Sequence, residues 1–381
     1  MPASPDKPLR TVGPMARGNG AALRWALVGT VVAILAVLPA LVGAWPAADD
    51  NRSAAQLRAA AIASVDVQFS GFAESAGGLA LPVANQLNSL ADLFSDRTEM
   101  RVWWRGPTDN RVDLVTAGGE TGSYRDERGT WTWEYEANRA TRTEDAPLAL
   151  PSPPDLLPNT LARRLLSEAE PGELSRIGAD RIAGRDALGL QLTPAAAASS
   201  VDRVEVFVDK ETGLPLRVRV VGKGADNPVL DTHFVDLDLN PPTADVTTFN
   251  PPPGAAGEVG DTLGVLQNAA REIRSGPLPD TLAGLPRRTL DAAPPAIGIY
   301  GSGVTVLAVV PVPRGVAGDL RGAAAGDPNA VTDELGTRLT AGPVGILLVA
   351  GTGPQSVIVG TVTLDALAQA AGELAALQPD S

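Results

Sequence analysis

Hydrophobic and polar positions alternate most cleanly over "VEVFVDKETGLPLRVRVV". Val204, Val206 and Val208 alternate with Glu205, Phe207 and Asp209. Past the turn, Leu214, Leu216, Val218 and Val220 alternate with Pro215, Arg217 and Arg219. A period of two places each set on one face of a strand, so the stretch predicts an antiparallel hairpin with one apolar face. Asp209 suits the start of the turn because its carboxylate accepts backbone N–H groups. Gly213 takes the positive φ that closes it. Pro215 donates no ladder hydrogen bond and belongs at a strand start or an edge.

The same period recurs on both sides. "SVDVQFSGFAES" predicts a strand with Val65, Val67 and Phe69 on one face. "EMRVWWRG" and "RVDLVTA" predict two strands around the turn "PTDN". "SYRDERGTWTWEYEANRATR" predicts a further hairpin unit about Gly129, with Trp131, Trp133 and Tyr135 on one strand face. "SRIGADRIAGRDALGLQLTP" gives two strands about "AGRD", and "PVLDTHFVDLDLN" gives another.

Helical signals are fewer. "SAAQLRAAAIA" carries Ser53 as a cap and the narrow stripe Leu57, Ala60 and Ala61. "NTLARRLLSEA" carries Asn159 as a cap, with Leu161 and Leu165 one turn apart. "GGLALPVANQLNSLADLF" fits a loop or a short helix. Residues 51–250 thus read as antiparallel strands interrupted by a few helices. A boundary falls near 250–262. Beyond it "TLGVLQNAAREI" predicts a helix, followed by about three strands and a last helix.

At the N-terminus the pattern changes. Residues 1–24 hold Lys7, Arg10, Arg17 and Arg24 against Asp6. An uncharged apolar run then extends from Trp25 to Ala48. At about 1.5 Å per residue such a helix crosses a hydrocarbon core of about 30 Å. The basic flank orients its N-terminus to the cytoplasm, and Trp25 and Trp45 sit near its two ends as interfacial aromatics do. The run reads either as an uncleaved anchor or as a signal peptide cut near Val42-Gly43-Ala44 or after Pro46. Both readings place the rest of the chain outside the cytoplasm.

Composition removes several chemistries. The net charge of −13 argues against nucleic acid as a partner. With no cysteine, disulfides, thiolate metal sites, cysteine nucleophiles and thioether lipid anchors are excluded. His233 is the single histidine and no G-x-S-x-G signature accompanies it. Asp236 and Asp238 share a strand face without the spacing of a calcium loop. "GSGVTV" and "GTGPQS" lack the phosphate-loop pattern and read as tight turns. No catalytic residue, metal or cofactor is expected. The aromatic stripe has two readings: packing against the helix at 159–169, or lining a cavity for an acyl chain in a curved sheet.

Several of these pieces together resemble one family. "FVDKETGLPLRVRV" resembles the Asp-x-x-Thr-Gly-Leu-Pro hairpin of the LolA-like superfamily, which includes lipoprotein carriers and the RseB/MucB regulators of envelope-stress sigma factors. "RIAGRDALGLQLTP" resembles the Ala-Gly-Arg strand pair of the same proteins, and "PNTLARRLLSEAEPG" the helix before it. "RVWWRGPTDNRVDLV" and "RDERGTWTWEYEANRATR" are similar to their paired strands. "IYGSGVTVLAVVPV" and "GPVGILLVAGTGPQSVIVGTVTLDALAQAAGEL" are similar to the second domain of RseB-like proteins. The chain departs in carrying an anchor-like segment and in lacking the cysteine of lipid-anchored relatives. Its Gly/Ala/Pro-rich style is closer to exported LolA-like proteins of high-GC Gram-positive bacteria.

The resemblance implies an α+β protein. A half-open antiparallel β-barrel with covering helices would occupy 51–252 and a small α+β domain 262–378. A cytoplasmic tail (1–24) and a transmembrane anchor or signal segment (25–48) would precede them. It also implies a non-enzymatic, membrane-tethered extracytoplasmic protein that binds a lipid or an acylated lipoprotein. The other implied role is an RseB-like regulator that binds a single-pass membrane anti-sigma factor. Candidate concave-face residues are Phe69, Trp103, Trp131, Trp133, Tyr135, Val206, Val208, Leu216 and Val218.

Overall fold

Alternation of the kind seen in the hairpin runs through twelve strands, which join in one sheet. The computed structural model describes residues 46–77, 97–116, 119–144, 152–259, 278–289, 296–312, 314–324, 330–350 and 355–377, with Val28, Thr30 and Val32. Those three residues are helical and belong to an N-terminal unit, Met1–Pro46. The tail 1–24 and nearly all of the apolar segment 25–48 lie outside the described residues. Among the described residues no helix is long and apolar enough to cross a membrane.

The second unit, Ala47–Ser381, holds the sheets. The large one comprises β1 (Phe69–Ala76), β2 (Arg97–Gly106), β3 (Asp109–Thr116), β4 (Gly119–Asp126), β5 (Gly129–Glu134), β6 (Arg139–Thr143), β7 (Leu174–Ile182), β8 (Arg185–Leu192), β9 (Val201–Asp209), β10 (Pro215–Gly222), β11 (Leu230–Asp238) and β12 (Ala256–Val259). Their order is β12-β6-β5-β4-β3-β2-β1-β11-β10-β9-β8-β7. Every pairing is antiparallel except β12 with β6. The sheet is not closed: β12 and β7 are its two edges.

Two helices lie on one face of it: α1 (Ala54–Ala63) and α2 (Pro158–Ser167). Ser53 caps α1, its hydroxyl accepting the Gln56 N–H while the Gln56 side chain takes the Ser53 N–H. Leu57 and Ala61 of α1 and Ala162 and Leu166 of α2 bury against Leu188, Leu190 and Leu192 of β8 and against the valines of β9 and β10. Each buried valine or leucine contributes about 1.5–3 kcal/mol, so this layer supplies much of the stability.

Two local elements differ from the sequence expectation. Val65 and Val67 are not in a strand. The chain leaves α1 through a 3-10 turn, Ser64–Asp66, stabilised by the Ser64 hydroxyl donating to the Ala61 carbonyl, and β1 begins only at Phe69. Asn159 does not cap α2. Pro158 takes the first helical position, where its fixed φ and missing N–H cost nothing, so Leu157 is the cap and Asn159 lies inside the first turn.

A six-stranded sheet follows, built from β15 (Gly298–Ser302), β16 (Thr305–Val312), β17 (Val331–Asp333), β18 (Gly336–Ala341), β19 (Val344–Val349) and β20 (Gln355–Gly360), after the short pair β13 (Thr281–Leu282) and β14 (Leu285–Pro286). About three strands were expected from the pattern. Turns at Gly303 (φ +59°) and Gly342 (φ +55°) fold two of the apolar runs into hairpins, which raises the number. The helix expected in "TLGVLQNAAREI" lies outside the described residues. The last helix, Leu364–Ala376, buries Ala366, Leu367, Ala370 and Ala371 on this sheet. The two sheets are joined by Ser200 N–H to the Thr361 carbonyl (3.1 Å) and Thr363 N–H to the Ala198 carbonyl (2.9 Å). Glu168 adds to the junction by accepting both Arg288 guanidinium nitrogens (3.1 and 2.8 Å) and the Gly303 N–H (2.6 Å).

The β9–β10 turn forms as its residues require. Asp209 accepts the Thr212 N–H (2.8 Å) and hydroxyl (2.7 Å), and Gly213 has φ +76°. A Cβ on Gly213 would meet the Ala60 carbonyl oxygen at 2.8 Å, so the turn also fits tightly against α1. Gly213→Ala is therefore expected to cost about 1–2 kcal/mol from the left-handed backbone, and more from this contact. Gly224 has φ +74° and open space for a Cβ, so Gly224→Ala isolates the backbone share. Urea midpoints that fall equally in both variants would exclude the helix contact as a constraint.

Candidate functional site

Cross-strand partners share a face, so the register sorts the candidate residues by side. Phe69 pairs with Trp104, Ala73 with Met100 and with Phe234, Thr232 with Val218, Val218 with Val206, and Val206 with Leu190. This row crosses β2, β1, β11, β10, β9 and β8 on the side that α1 and α2 cover. Phe69, Val206, Val208, Leu216 and Val218 all belong to it, and each is 0% exposed. Phe69 stacks on Trp104 (centroids 6.1 Å apart) and meets Phe234 edge-on (5.2 Å).

The other four candidates lie on the opposite side. Trp103 pairs with Arg111, Arg111 with Tyr124, Tyr124 with Trp131, and Trp131 with Arg142. The result is a row of alternating aromatic and cationic side chains. Arg111 lies 4.7 Å from the Trp103 ring centroid and 4.8 Å from that of Tyr124, and Arg142 lies 5.2 Å from that of Trp131. Asp113, fully buried, accepts from Arg111 at 2.8 and 2.5 Å and fixes its guanidinium. The stripe does not pack on the helix at 159–169. Phe249 covers it instead, with centroids 5.3 Å from Trp131, 6.0 Å from Trp133 and 4.9 Å from Tyr124. Tyr135 lies past the end of β5, edge-on to Trp133 (5.8 Å) and 39% exposed.

The structure thus brings five candidates together and sets four apart from them. On the helix-covered side it adds residues that were not singled out: Trp104, Phe234, Asn159 and Arg163. Arg163 stands one helical turn after Asn159, and its guanidinium lies 5.9 Å from the Trp104 ring centroid. That spacing was the available signal: Asn159 and Arg163 share a face with the apolar side of α2 rather than with its exposed one.

His233 lies on β11, on the side away from the helices, paired with Arg217 and Glu74. Burial holds its pKa below the ordinary histidine value, with Arg217 and Arg219 acting in the same direction against Asp231. Asp231 is engaged by Arg217 at 2.8 and 2.5 Å, while the His233 ring stands 3.8 Å away. Among the described residues no group of three or more His, Asp or Glu is placed to hold a metal ion. Two described pockets lie elsewhere. One of about 200 Å³ sits where the sheets meet, lined by Glu168, Leu192, Leu285 and Gly303. The other is a groove of about 460 Å³ along α1, lined by Ala55, Ile62, Pro171 and Leu174.

A search of curated proteins finds no match. Similar solved structures include Pseudomonas aeruginosa MucB in its complex with MucA, 19% identical, with 84% of this chain and 96% of that chain covered and a TM-score of 0.46. A structure of MucB with MucA(peri) is also 19% identical, covering 82% and 96%, with a TM-score of 0.45. A LolA superfamily protein from Nitrosomonas europaea is 13% identical over 52% of this chain and 99% of that chain, with a TM-score of 0.24. Residues 125–252, from the end of β4 through β11 and most of the segment that leads to β12, match the MucB/RseB N-terminal domain family. That match includes the hairpin, and it supports the RseB/MucB-like resemblance over those residues.

Proposed function

We propose that this protein is a non-enzymatic, membrane-tethered binding protein acting outside the cytoplasm, and that it takes the acyl chain of a lipid or acylated protein on the helix-covered side of its large sheet. In this reading 25–48 is the membrane anchor, 51–252 the binding domain and 262–378 a smaller second domain. The observation that carries it is the continuous apolar face from β8 to β3 on a sheet that never closes, roofed by two helices. Such a face is the apolar surface with few polar groups that ligand sites use. Because its side chains are buried, α2 lifts to admit the chain. Phe69, Val206, Val208, Leu216 and Val218 form the wall, while Trp103, Trp131, Trp133 and Tyr135 serve the opposite surface.

Native mass spectrometry of the protein purified from a membrane-containing host tests this. A co-purified mass in the range of an acyl lipid is expected. A protein that carries only its own mass and takes up no added lipid contradicts the reading.

A second role, regulation through a single-pass membrane anti-sigma factor, is favoured by the second sheet, since a simple carrier has no need of one. Crosslinking in membranes is expected to trap such a partner. Recovery of lipid-modified cargo alone favours the carrier role.

A further inference from the structure

Polar atoms left unpaired in a core gather at one place under α2. Trp104 and Asn159 are 3% and 0% exposed. Trp104 Nε1, both amide atoms of Asn159 and Arg163 Nη1 have no hydrogen-bond partner among the described residues. Native cores pair the great majority of such atoms, and buried charges even more consistently. Arg163 makes no ion pair among the described residues. Only a distant attraction to Asp66 offsets the burial that pulls its pKa down. The buried apolar contacts of α2 come from Pro158, Ala162 and Leu166, while Arg163 is half-buried beside the Trp104 ring.

The donors share a direction of chemistry. A tryptophan N–H donates only, a guanidinium donates only, and an asparagine amide adds two more donors. Arginine is the side chain suited to the two oxygens of a carboxylate or phosphate. Beside these donors stands the aromatic wall of Trp104, Phe69 and Phe234. Asn110, the cross-strand partner of Trp104, adds one unpaired acceptor, Oδ1, which suits a hydroxyl or water next to the oxyanion. We propose that Trp104, Asn159 and Arg163 form a receptor for an oxyanion, the carboxylate or phosphate end of an acyl ligand whose chain lies along Phe69 and Phe234. This rests on the acyl-binding reading above and adds the headgroup that the site selects.

The test uses the full chain with cis-parinaric acid, its methyl ester and inorganic phosphate, at about pH 8 where the carboxylate is ionised. The acid is expected to bind about 10-fold or more tightly than the ester, the value of one charge-assisted hydrogen bond. In Arg163→Met the acid is expected to lose that preference while ester binding stays the same. Arg163→Lys retains part of it. The unliganded melting temperature of Arg163→Met is expected to hold or to rise by about 2 °C or more, because a partly buried charge with no ion-pair partner among the described residues is removed. A lowered melting temperature with loss of both probes makes Arg163 a structural residue and overturns the proposal. Equal binding of acid and ester by the unaltered protein overturns it too, yet leaves the acyl-binding reading standing. Binding of inorganic phosphate without either acyl probe assigns a free-anion site and overturns the headgroup assignment. Failure of all three probes overturns the functional reading as well.

Discussion

Asp209→Asn is expected to lower the unfolding free energy by about 2–4 kcal/mol, near the range for breaking one partner of a buried pair. The carboxylate is 1% exposed and receives Arg185 through Nε (2.7 Å) and Nη2 (3.1 Å), together with the Thr212 N–H and hydroxyl. Its loss leaves Arg185 with exposed Glu211 alone and frees the turn that docks on α1. The effect depends on pH with a definite sign. Burial works against the charged form, but the bonds from Arg185 and Thr212 outweigh it and hold the Asp209 pKa below the ordinary aspartate value. A carboxyl lowered in the folded state contributes stability above its unfolded pKa of about 3.9, and that contribution disappears as pH falls through the folded pKa. Melting temperatures of the parent and Asp209→Asn are therefore expected to differ fully at neutral pH and to converge below about pH 4. A gap that persists unchanged as the pH is taken well below 4 assigns the loss to packing instead.

Phe69→Ala is expected to cost about 3–5 kcal/mol, the range for removing a fully buried phenylalanine. The ring is held between Trp104 and Phe234 at the centre of the helix-covered face. Tyr135→Ala, on the opposite side and partly exposed, is expected to cost far less. Urea midpoints compare the two directly. A Tyr135 variant as unstable as the Phe69 variant would mean that the aromatic row, not the helix-covered face, is the main core.

The difference between these two residues shows how far local pattern reaches. The 201–222 hairpin was legible because its alternation, its aspartate and its glycine act over a few residues. Alternation also groups Trp131 with Trp133, but it is silent on which side of the sheet they take. That is decided by register passed from strand to strand: Trp104 faces Asn110, Asn110 faces Arg125 and Arg125 faces Thr130. The helix-covered side of β5 is therefore threonine, and the tryptophans point away. Long-range pairing of this kind leaves no mark in any one segment. The start of α2 differs from its sequence expectation for a local reason, since an asparagine before an apolar run mimics a cap while Pro158 sets the boundary. Arg163 reads as exposed because a charged residue on a helix usually is, and only the packed structure places it beside Trp104.

In the proposed function the helix-covered face of the open sheet, and not the aromatic row behind it, receives the acyl chain. Photolabelling the full chain with a diazirine-bearing fatty acid, followed by peptide mapping, tests this without altering any residue. Adducts are expected on β1, β2, β10 and α2, at Phe69, Met100, Leu216 and their neighbours. Adducts confined to Trp103, Tyr124, Trp131 and Phe249, or none above background, would contradict the account.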